Sequence, residues 1–272
     1  MYLCIDVGGT KTLIARLDDN GVIVEETKIA TSKDYKEFLE DVSRELGNFS
    51  SREFIAGAIG VPATSIDRDK AIARKFGNLD WRDVSVAKDI EAIAGCPMFM
   101  ENDAKLGGLS EAMMVKDQYQ KVLYLTISTG LGFSIIDGLK IDTSAGDGGG
   151  RILLSDEDNN YVPWESVASG HALLERFGQM AKDIDDPAIW QQFSADIAEG
   201  LIRLVAIFQP EVIIIGGSVG NYFYKFADFL KKDLEGYNLP LIKMPALKGA
   251  DRADQAVIYG CYDYVKQKLN NE

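Results

Sequence analysis

The chain has 272 residues, 46% of them hydrophobic and 26% charged, which is enough to bury a core or to divide into two lobes. Acids outnumber bases 42 to 29, so a net charge of -13 makes most of the surface repel phosphate backbones and anionic lipid. Cys4, Cys96 and Cys261 show no paired spacing and His171 is the single histidine, which excludes a Cys-rich zinc site, a disulfide framework and a multi-histidine metal centre.

The first residues carry no basic n-region and no long apolar run, so neither a signal peptide nor a membrane span is expected. A reducing, cytoplasmic setting follows. Residues 2–7 alternate like a strand and meet Gly8-Gly9-Thr10-Lys11 at once. Residues 12–17 and 22–24 flank Asp18-Asp19-Asn20-Gly21, and Asn-Gly between apolar runs predicts a hairpin because both residues tolerate positive φ. A helix is predicted over 34–47, where Phe38, Leu39, Val42 and Leu46 share a face. A strand at 54–59 runs into Gly60-Val61-Pro62. Another at 98–100 enters Glu101-Asn102-Asp103, before a helix from Ala104 toward Val115.

The opening plan then recurs. A strand at 122–127 leads into Ser128-Thr129-Gly130-Leu131-Gly132, a strand at 133–136, a turn at Asp137-Gly138 and a strand at 139–141. Later, the apolar run 212–215 ends at Gly216-Gly217-Ser218, as 54–59 ends at Gly60, so an internal duplication is expected. A helix over 222–234 should follow. Ile197, Leu201, Leu204, Val205 and Phe208 form a helical stripe closed by Pro210, and Val257, Cys261, Tyr264 and Val265 repeat it in the tail. Strands alternating with helices predict an α/β protein. The lobes are placed at 1–117, completed by a helix at 252–270, and at 118–251.

Several of these turns can carry chemistry. Asp6 ends a strand before Gly8, Gly9, Thr10 and Lys11, whose amides, hydroxyl and ammonium suit phosphate oxygens, while Asp6 could hold a hydrated Mg²⁺. A plain hairpin with a surface lysine reads equally well. Thr129 and Gly130 offer either a second phosphate clamp or a plain glycine hairpin, and Gly216 and Gly217 either a close backbone approach to a nucleotide or an ordinary strand end. Asn102 and Asp103 are either helix caps or groups aimed at a polar substrate, with Asp103 accepting a hydroxyl proton. Asn78-Leu79-Asp80-Trp81 either lines a substrate cleft or turns a loop. Asp147 and Glu165 are carboxylates that either suit neighbouring sugar hydroxyls or are ordinary surface-loop acids, and His171 is read as structural or solvent-facing.

Taken in order, Asp6–Lys11, Gly60-Val61-Pro62, Asn78-Leu79-Asp80-Trp81, Glu101-Asn102-Asp103-Ala104, residues 126–132 and Ile215–Ser218 resemble the ROK family of sugar kinases. The resemblance covers nearly the whole chain. It implies a two-lobed actin/hexokinase-like fold of ribonuclease-H-like topology, with ATP and Mg²⁺ in a cleft between the lobes. It implies Asp103 as the base on a sugar hydroxyl, sugar contacts from Asn78, Asn102, Asp147 and Glu165, and often a homodimer. Asp6, Gly8, Gly9, Thr10, Lys11, Thr129, Gly130, Gly216 and Gly217 would hold the nucleotide and its metal.

Departures from the family pattern bear on substrate. Ala145-Gly146-Asp147-Gly148-Gly149-Gly150 stands where the family has Ala-Gly-Glu-x-Gly-His, and the zinc-binding cysteine cluster is missing. No structural zinc is therefore expected. Asp147 is one methylene short of the usual glutamate, and Ala63 replaces a glycine. The family also includes repressors with an N-terminal helix-turn-helix; nothing of that kind precedes Asp6, so DNA binding is not expected. The expected activity is ATP-dependent phosphorylation of a hexose or related sugar. The rivals are a non-catalytic sugar- or nucleotide-binding regulator on a kinase scaffold, and a kinase or ATPase with a non-sugar acceptor.

Overall fold

A computed structural model describes residues 1–272 except 78, 156–158, 238, 239, 241, 271 and 272. The chain forms two compact units, Met1–Ser110 with Gln255–Glu272, and Glu111–Asp254. Among the described residues no helix is long and apolar enough to cross a membrane.

The first unit starts with β1 (Tyr2–Val7), β2 (Lys11–Leu17), β3 (Ile23–Ala30) and α1 (Tyr35–Asn48). Then come β4 (Ala56–Val61), a small three-stranded sheet of β5 (Ala63–Asp67), β6 (Ile72–Phe76) and β7 (Arg82–Val84), α2 (Val86–Ala94), β8 (Met98–Asn102) and α3 (Asp103–Val115), whose residues from Glu111 on belong to the second unit. Its main sheet has the order β3-β2-β1-β4-β8, antiparallel through the opening hairpins and parallel thereafter. Local chemistry explains the edges. Asp18 accepts from the Asn20 and Val22 amides and Gly21 sits at φ 78°, closing the β2–β3 turn. Asp34 caps α1 by accepting from the Glu37 amide at 2.9 Å. Phe38, Val42 and Leu46 then bury one helix face against Leu3, Ile5, Val7 and Ile14 of the sheet.

The second unit repeats the plan. It holds β9 (Lys121–Ile127), β10 (Leu131–Asp137), β11 (Lys140–Ile141), a hairpin of β12 (Leu153–Ser155) and β13 (Tyr161–Pro163), α4 (Gly170–Phe177) and α5 (Pro187–Phe208). After these come β14 (Val212–Gly216), α6 (Gly217–Gly220), α7 (Ala227–Gly236) and β15 (Ala246–Gly249); α8 (Ala256–Asn270) returns to the first unit and packs on β1 and β4. The sheet order β11-β10-β9-β14-β15 has the same strand directions as the first sheet. Asp6 pairs with Gly60 in one sheet and Thr126 with Gly216 in the other, so the recurrence read in the sequence has a register-level counterpart.

Two expected elements differ. The strand predicted at 139–141 begins at Lys140, because Gly138 and Leu139 both take positive φ, 55° and 63°, in a two-residue turn. The helix predicted over 222–234 begins at Ala227. Phe223 and Phe226 pack edge-on at 5.4 Å, Phe226 stacks on Trp190, and the Phe226 backbone at φ -129° interrupts the helix to allow it. Burial of aromatic surface here overrides helix continuity.

Gly200 lies inside α5 with the indole of Trp164 directly over it, where a Cβ would overlap the ring. Helix propensity favours alanine over glycine by about 1 kcal/mol. Trp164 is fully buried and its Nε1 donates to the Asp196 carbonyl at 3.0 Å, so it has no room to retreat, and overpacking of about 1–3 kcal/mol wins. Gly200→Ala is therefore expected to lower the thermal midpoint, as calorimetry would show.

Candidate active site

The loop between β1 and β2 is built from residues 8–10. The Gly8 N–H donates to the Lys11 carbonyl at 2.9 Å. A Cβ on Gly8 would stand 2.8 Å from that oxygen, so the close turn requires glycine there. Thr31, just beyond β3, donates its N–H to the Thr10 carbonyl (3.0 Å) and its hydroxyl to the Gly8 carbonyl (2.9 Å). The Thr12 hydroxyl lies 2.9 Å from that of Thr31. Since the one Thr31 hydroxyl proton goes to Gly8, Thr12 donates in turn to Thr31. Among the described residues, the Gly9 and Thr10 amides donate to nothing in the chain. Two such N–H groups on a tight turn are an anion cradle. Thr10 and Lys11 are exposed at its rim.

Beside it, Asp6 is the last residue but one of β1 and Asp103 opens α3. Asn102 is the helix cap: its Oδ1 accepts from the Lys105 amide at 3.2 Å, while its Nδ2 donates to the Ala63 carbonyl at 3.1 Å. That bond leaves Asp103 in the first turn, where its Oδ1 accepts from the Ala104 amide at 2.8 Å. Amides and the helix dipole favour the ionised acid. Burial outweighs them and pushes the Asp103 carboxyl up to about 6. Asp6 is pushed up to about 7, first by burial and then by the negative charge of Asp103, against a lowering influence from Lys28. Asp6 thus senses the charge of Asp103.

Glu101 is not a ligand-facing group. It is fully buried and takes a bidentate pair from Arg68, Nε to Oε2 at 2.8 Å and Nη2 to Oε1 at 2.7 Å, while its Oε1 also accepts from the Asn102 amide at 2.8 Å. Arg68 follows β5, so this pair ties the small sheet to the β8–α3 junction. Leu79 and Trp81 are core: Trp81 packs with Phe38 at 4.6 Å and Phe76 at 5.3 Å, and its Nε1 donates to the Lys33 carbonyl at 3.0 Å. Asn78 lies outside the described residues.

In the second unit, residues 128–130 make the corresponding loop. The Ser128 N–H donates to the Gly130 carbonyl at 2.9 Å. The first amides of α4 tie the loop carbonyls, Gly170 N–H to Ser128 at 2.7 Å and His171 N–H to Thr129 at 3.2 Å. The Ser218 amide reaches the Ser128 hydroxyl at 3.2 Å. Gly217, at φ 82°, can carry no side chain, since a Cβ would meet the Ile127 carbonyl and the Thr126 and Ser128 hydroxyls at 2.5–2.7 Å. Gly216 sits just as tightly on the Tyr124 ring. Thr129 is exposed. Glu165 brings Oε2 to 3.3 Å from the Cβ position of Gly130 and 2.9 Å from that of Gly150, so these three residues meet. A Cβ on Gly150 would also overlap the Leu131 carbonyl, so no side chain fits at the position where the family pattern has histidine. Asp147 is exposed on the turn between Gly146 and Gly148, both at positive φ. His171 faces solvent 3.1 Å from Glu175.

Thr31, Thr12, Arg68 and Lys28 escaped the sequence reading. Each acts across strands, and none sits inside a recognisable motif; only the run of β-branched residues near 27–31 hinted at a buried strand end. Among the described residues no group of three or more His, Cys, Asp or Glu side chains could hold a metal ion. A single carboxylate such as Asp6 has the chemistry to hold a hydrated Mg²⁺ whose remaining ligands are phosphate and water.

A family model described as the ROK family matches residues 2–268. The putative fructokinase of Bacillus subtilis is 26% identical over 87% of this chain and 88% of its own length. The glucokinase of Streptomyces coelicolor is 24% identical over 80% and 81%. The crystal structure of a ROK glucokinase from Streptomyces griseus, in complex with glucose and AMPPNP, superposes with a TM-score of 0.82 at 22% identity, covering 98% of this chain and 99% of that one. A ROK transcriptional regulator, a homologue of the E. coli MLC protein, superposes with a TM-score of 0.83 at 19% identity over 98% of this chain and 78% of its own. With the hairpin, the carboxylate pair and the duplicated sheets in this order along the chain, the protein belongs to the ROK family and has the fold of its sugar kinases.

Proposed function

We propose that the chain is an ATP-dependent kinase of a hexose or related sugar. The observation that carries this reading is Asp103 at the head of α3, beside Asp6 and in the same unit as the unspent Gly9 and Thr10 amides. Phosphoryl transfer needs positioned anions and a placed acceptor more than covalent help from the protein. Asp103, titrating near 6, is ionised at neutral pH and still basic enough to take the proton of an acceptor hydroxyl. The Gly8–Lys11 loop holds phosphate oxygens, and the loop with Thr129 and Gly130, backed by Gly216 and Gly217, offers the same chemistry. Asp6 would hold hydrated Mg²⁺, which neutralises phosphate charge. Asn102, Asp147 and Glu165 are the sugar contacts, together with Asn78. The Asn102 amide keeps one N–H and one lone pair for this after its bonds to Ala63 and Lys105.

The named relatives act on fructose, glucose and N-acetylmannosamine, so the panel to test spans hexoses and N-acetylhexosamines. Purified protein with ATP and Mg²⁺ should yield a sugar monophosphate, identified by mass. No product from any sugar would sink the reading. The side-chain-free Gly150 favours one rival, a regulator that binds sugar without turnover. Calorimetric sugar binding in the absence of any product would establish that rival instead.

A further inference from the structure

The Gly8–Thr10 loop contains two glycines and no regular structure, and the local bond that closes it is the Gly8 N–H to the Lys11 carbonyl at 2.9 Å. Two of its three carbonyls, those of Gly8 and Thr10, are nevertheless taken, and by one residue. Thr31 spends its N–H on Thr10 and its hydroxyl on Gly8. The hydroxyl is itself braced by Thr12, which is fully buried, and Thr31 is 9% exposed. The second unit solves the same problem differently: the carbonyls of Ser128 and Thr129 are tied by main-chain amides of Gly170 and His171. In both units a donor from outside the hairpin occupies loop carbonyls. In the first, the amides left over are those of Gly9 and Thr10. A carbonyl tied inward turns the next residue's N–H outward, because the two lie antiparallel in one trans peptide plane; the Gly8 carbonyl thus sets the Gly9 amide, and the plane carrying the Thr10 amide lies between two tied planes.

We propose that Thr31 is the positioning residue of the nucleotide loop: its paired bonds hold the Gly8 and Thr10 carbonyls so that the Gly9 and Thr10 amides stay set for a nucleotide phosphate. This rests on the kinase reading above for the identity of the anion, but the loop ordering stands without it. Thr31 touches no phosphate itself. In the second unit only proline would remove the main-chain donors of Gly170 and His171, whereas here one donor is a side-chain hydroxyl that a shape-conserving substitution removes.

The test compares Thr31→Val, which keeps shape and loses the hydroxyl, with Thr31→Ser, which keeps the hydroxyl. Hydrogen exchange at the two bonded amides that hold the loop, Gly8 N–H and Thr31 N–H, should accelerate at least about tenfold in Thr31→Val and remain near wild type in Thr31→Ser. The KM for ATP, and the Kd for AMPPNP by calorimetry, should rise about 10- to 100-fold in Thr31→Val. The KM for the sugar should change little, kcat should fall less than the KM for ATP rises, and Thr31→Ser should restore both nucleotide values. Should Thr31→Val fold poorly, Thr12→Val removes only the brace and is expected to show the same pattern in weaker form. Unchanged exchange in a folded variant would overturn the proposal. So would faster exchange with unaltered nucleotide affinity, or equal losses for sugar and nucleotide. A wild-type protein that binds AMPPNP but phosphorylates no sugar would sink the kinase reading alone. One that binds no nucleotide would sink both.

Discussion

Asp103→Asn is expected to lower kcat about 10²- to 10⁴-fold with little change in KM for the sugar, since the amide keeps the shape but cannot take a proton. The same variant should be no less stable than wild type at pH 7.5, and its thermal midpoint should rise. The Asn Oδ1 still accepts from the Ala104 amide, so the helix start is preserved. What disappears is a buried negative charge beside Asp6. Folding raises both carboxyls above their unfolded values, near 3.8, to about 6 for Asp103 and about 7 for Asp6. Between those values the native state binds protons that the unfolded chain has already released. Stability therefore falls as pH rises from about 4 to 7, and the penalty is complete above the folded values. Removing one acid lifts its share of that penalty at neutral pH. Activity runs the other way: kcat/KM should decline on the acid side with an apparent pKa near 6, because the base must be ionised to act. A destabilised Asp103→Asn protein, or a flat profile between pH 5 and 8, would contradict the placement of this carboxyl.

Gly260→Ala should destabilise the first unit and depress turnover at temperatures where the protein is still folded. Gly260 in α8 faces Leu106 of α3, and a Cβ there would overlap the Leu106 carbonyl carbon and oxygen. The obstacle is backbone, so no rotamer change relieves it and the helices must separate. Alanine gains up to about 1 kcal/mol from helix propensity, and the overpacking costs about 1–3 kcal/mol or more. Gly47→Ala is the control. It lies in α1 with nothing within 4 Å of the added carbon, so propensity acts unopposed and stability should rise by about 0.5–1 kcal/mol. The catalytic loss comes from position. Leu106 is one turn from Asp103 on the same helix, and a shift of about 1 Å in a catalytic group costs as much as 10²-fold in rate. Thermal melts of both glycine variants, with kcat measured well below the midpoint, separate the two effects.

The order of elements was legible because its signals are local. Asn20-Gly21 needs only its own φ preferences, Asp34 needs only the Glu37 amide three residues on, and the stripe of Ile197, Leu201 and Val205 follows from 3.6 residues per turn. The glycines at 8 and 217 and the Asn102–Asp103 junction were visible for the same reason: a tight turn or helix start permits few residue types. The roles divided only in three dimensions. Glu101 and Asp103 are two residues apart and chemically alike; one is spent on Arg68, 33 residues away, and the other is left to titrate near 6. Trp81, a candidate cleft residue by sequence, is core because Phe38 and Phe76 close around it. Thr31 carries no motif at all, and its importance comes from lying across the sheet from Gly8. Backbone turn geometry is encoded within a few residues of itself. Burial, charge pairing and the ordering of a flexible loop depend on partners that the chain brings together only when the strands pair.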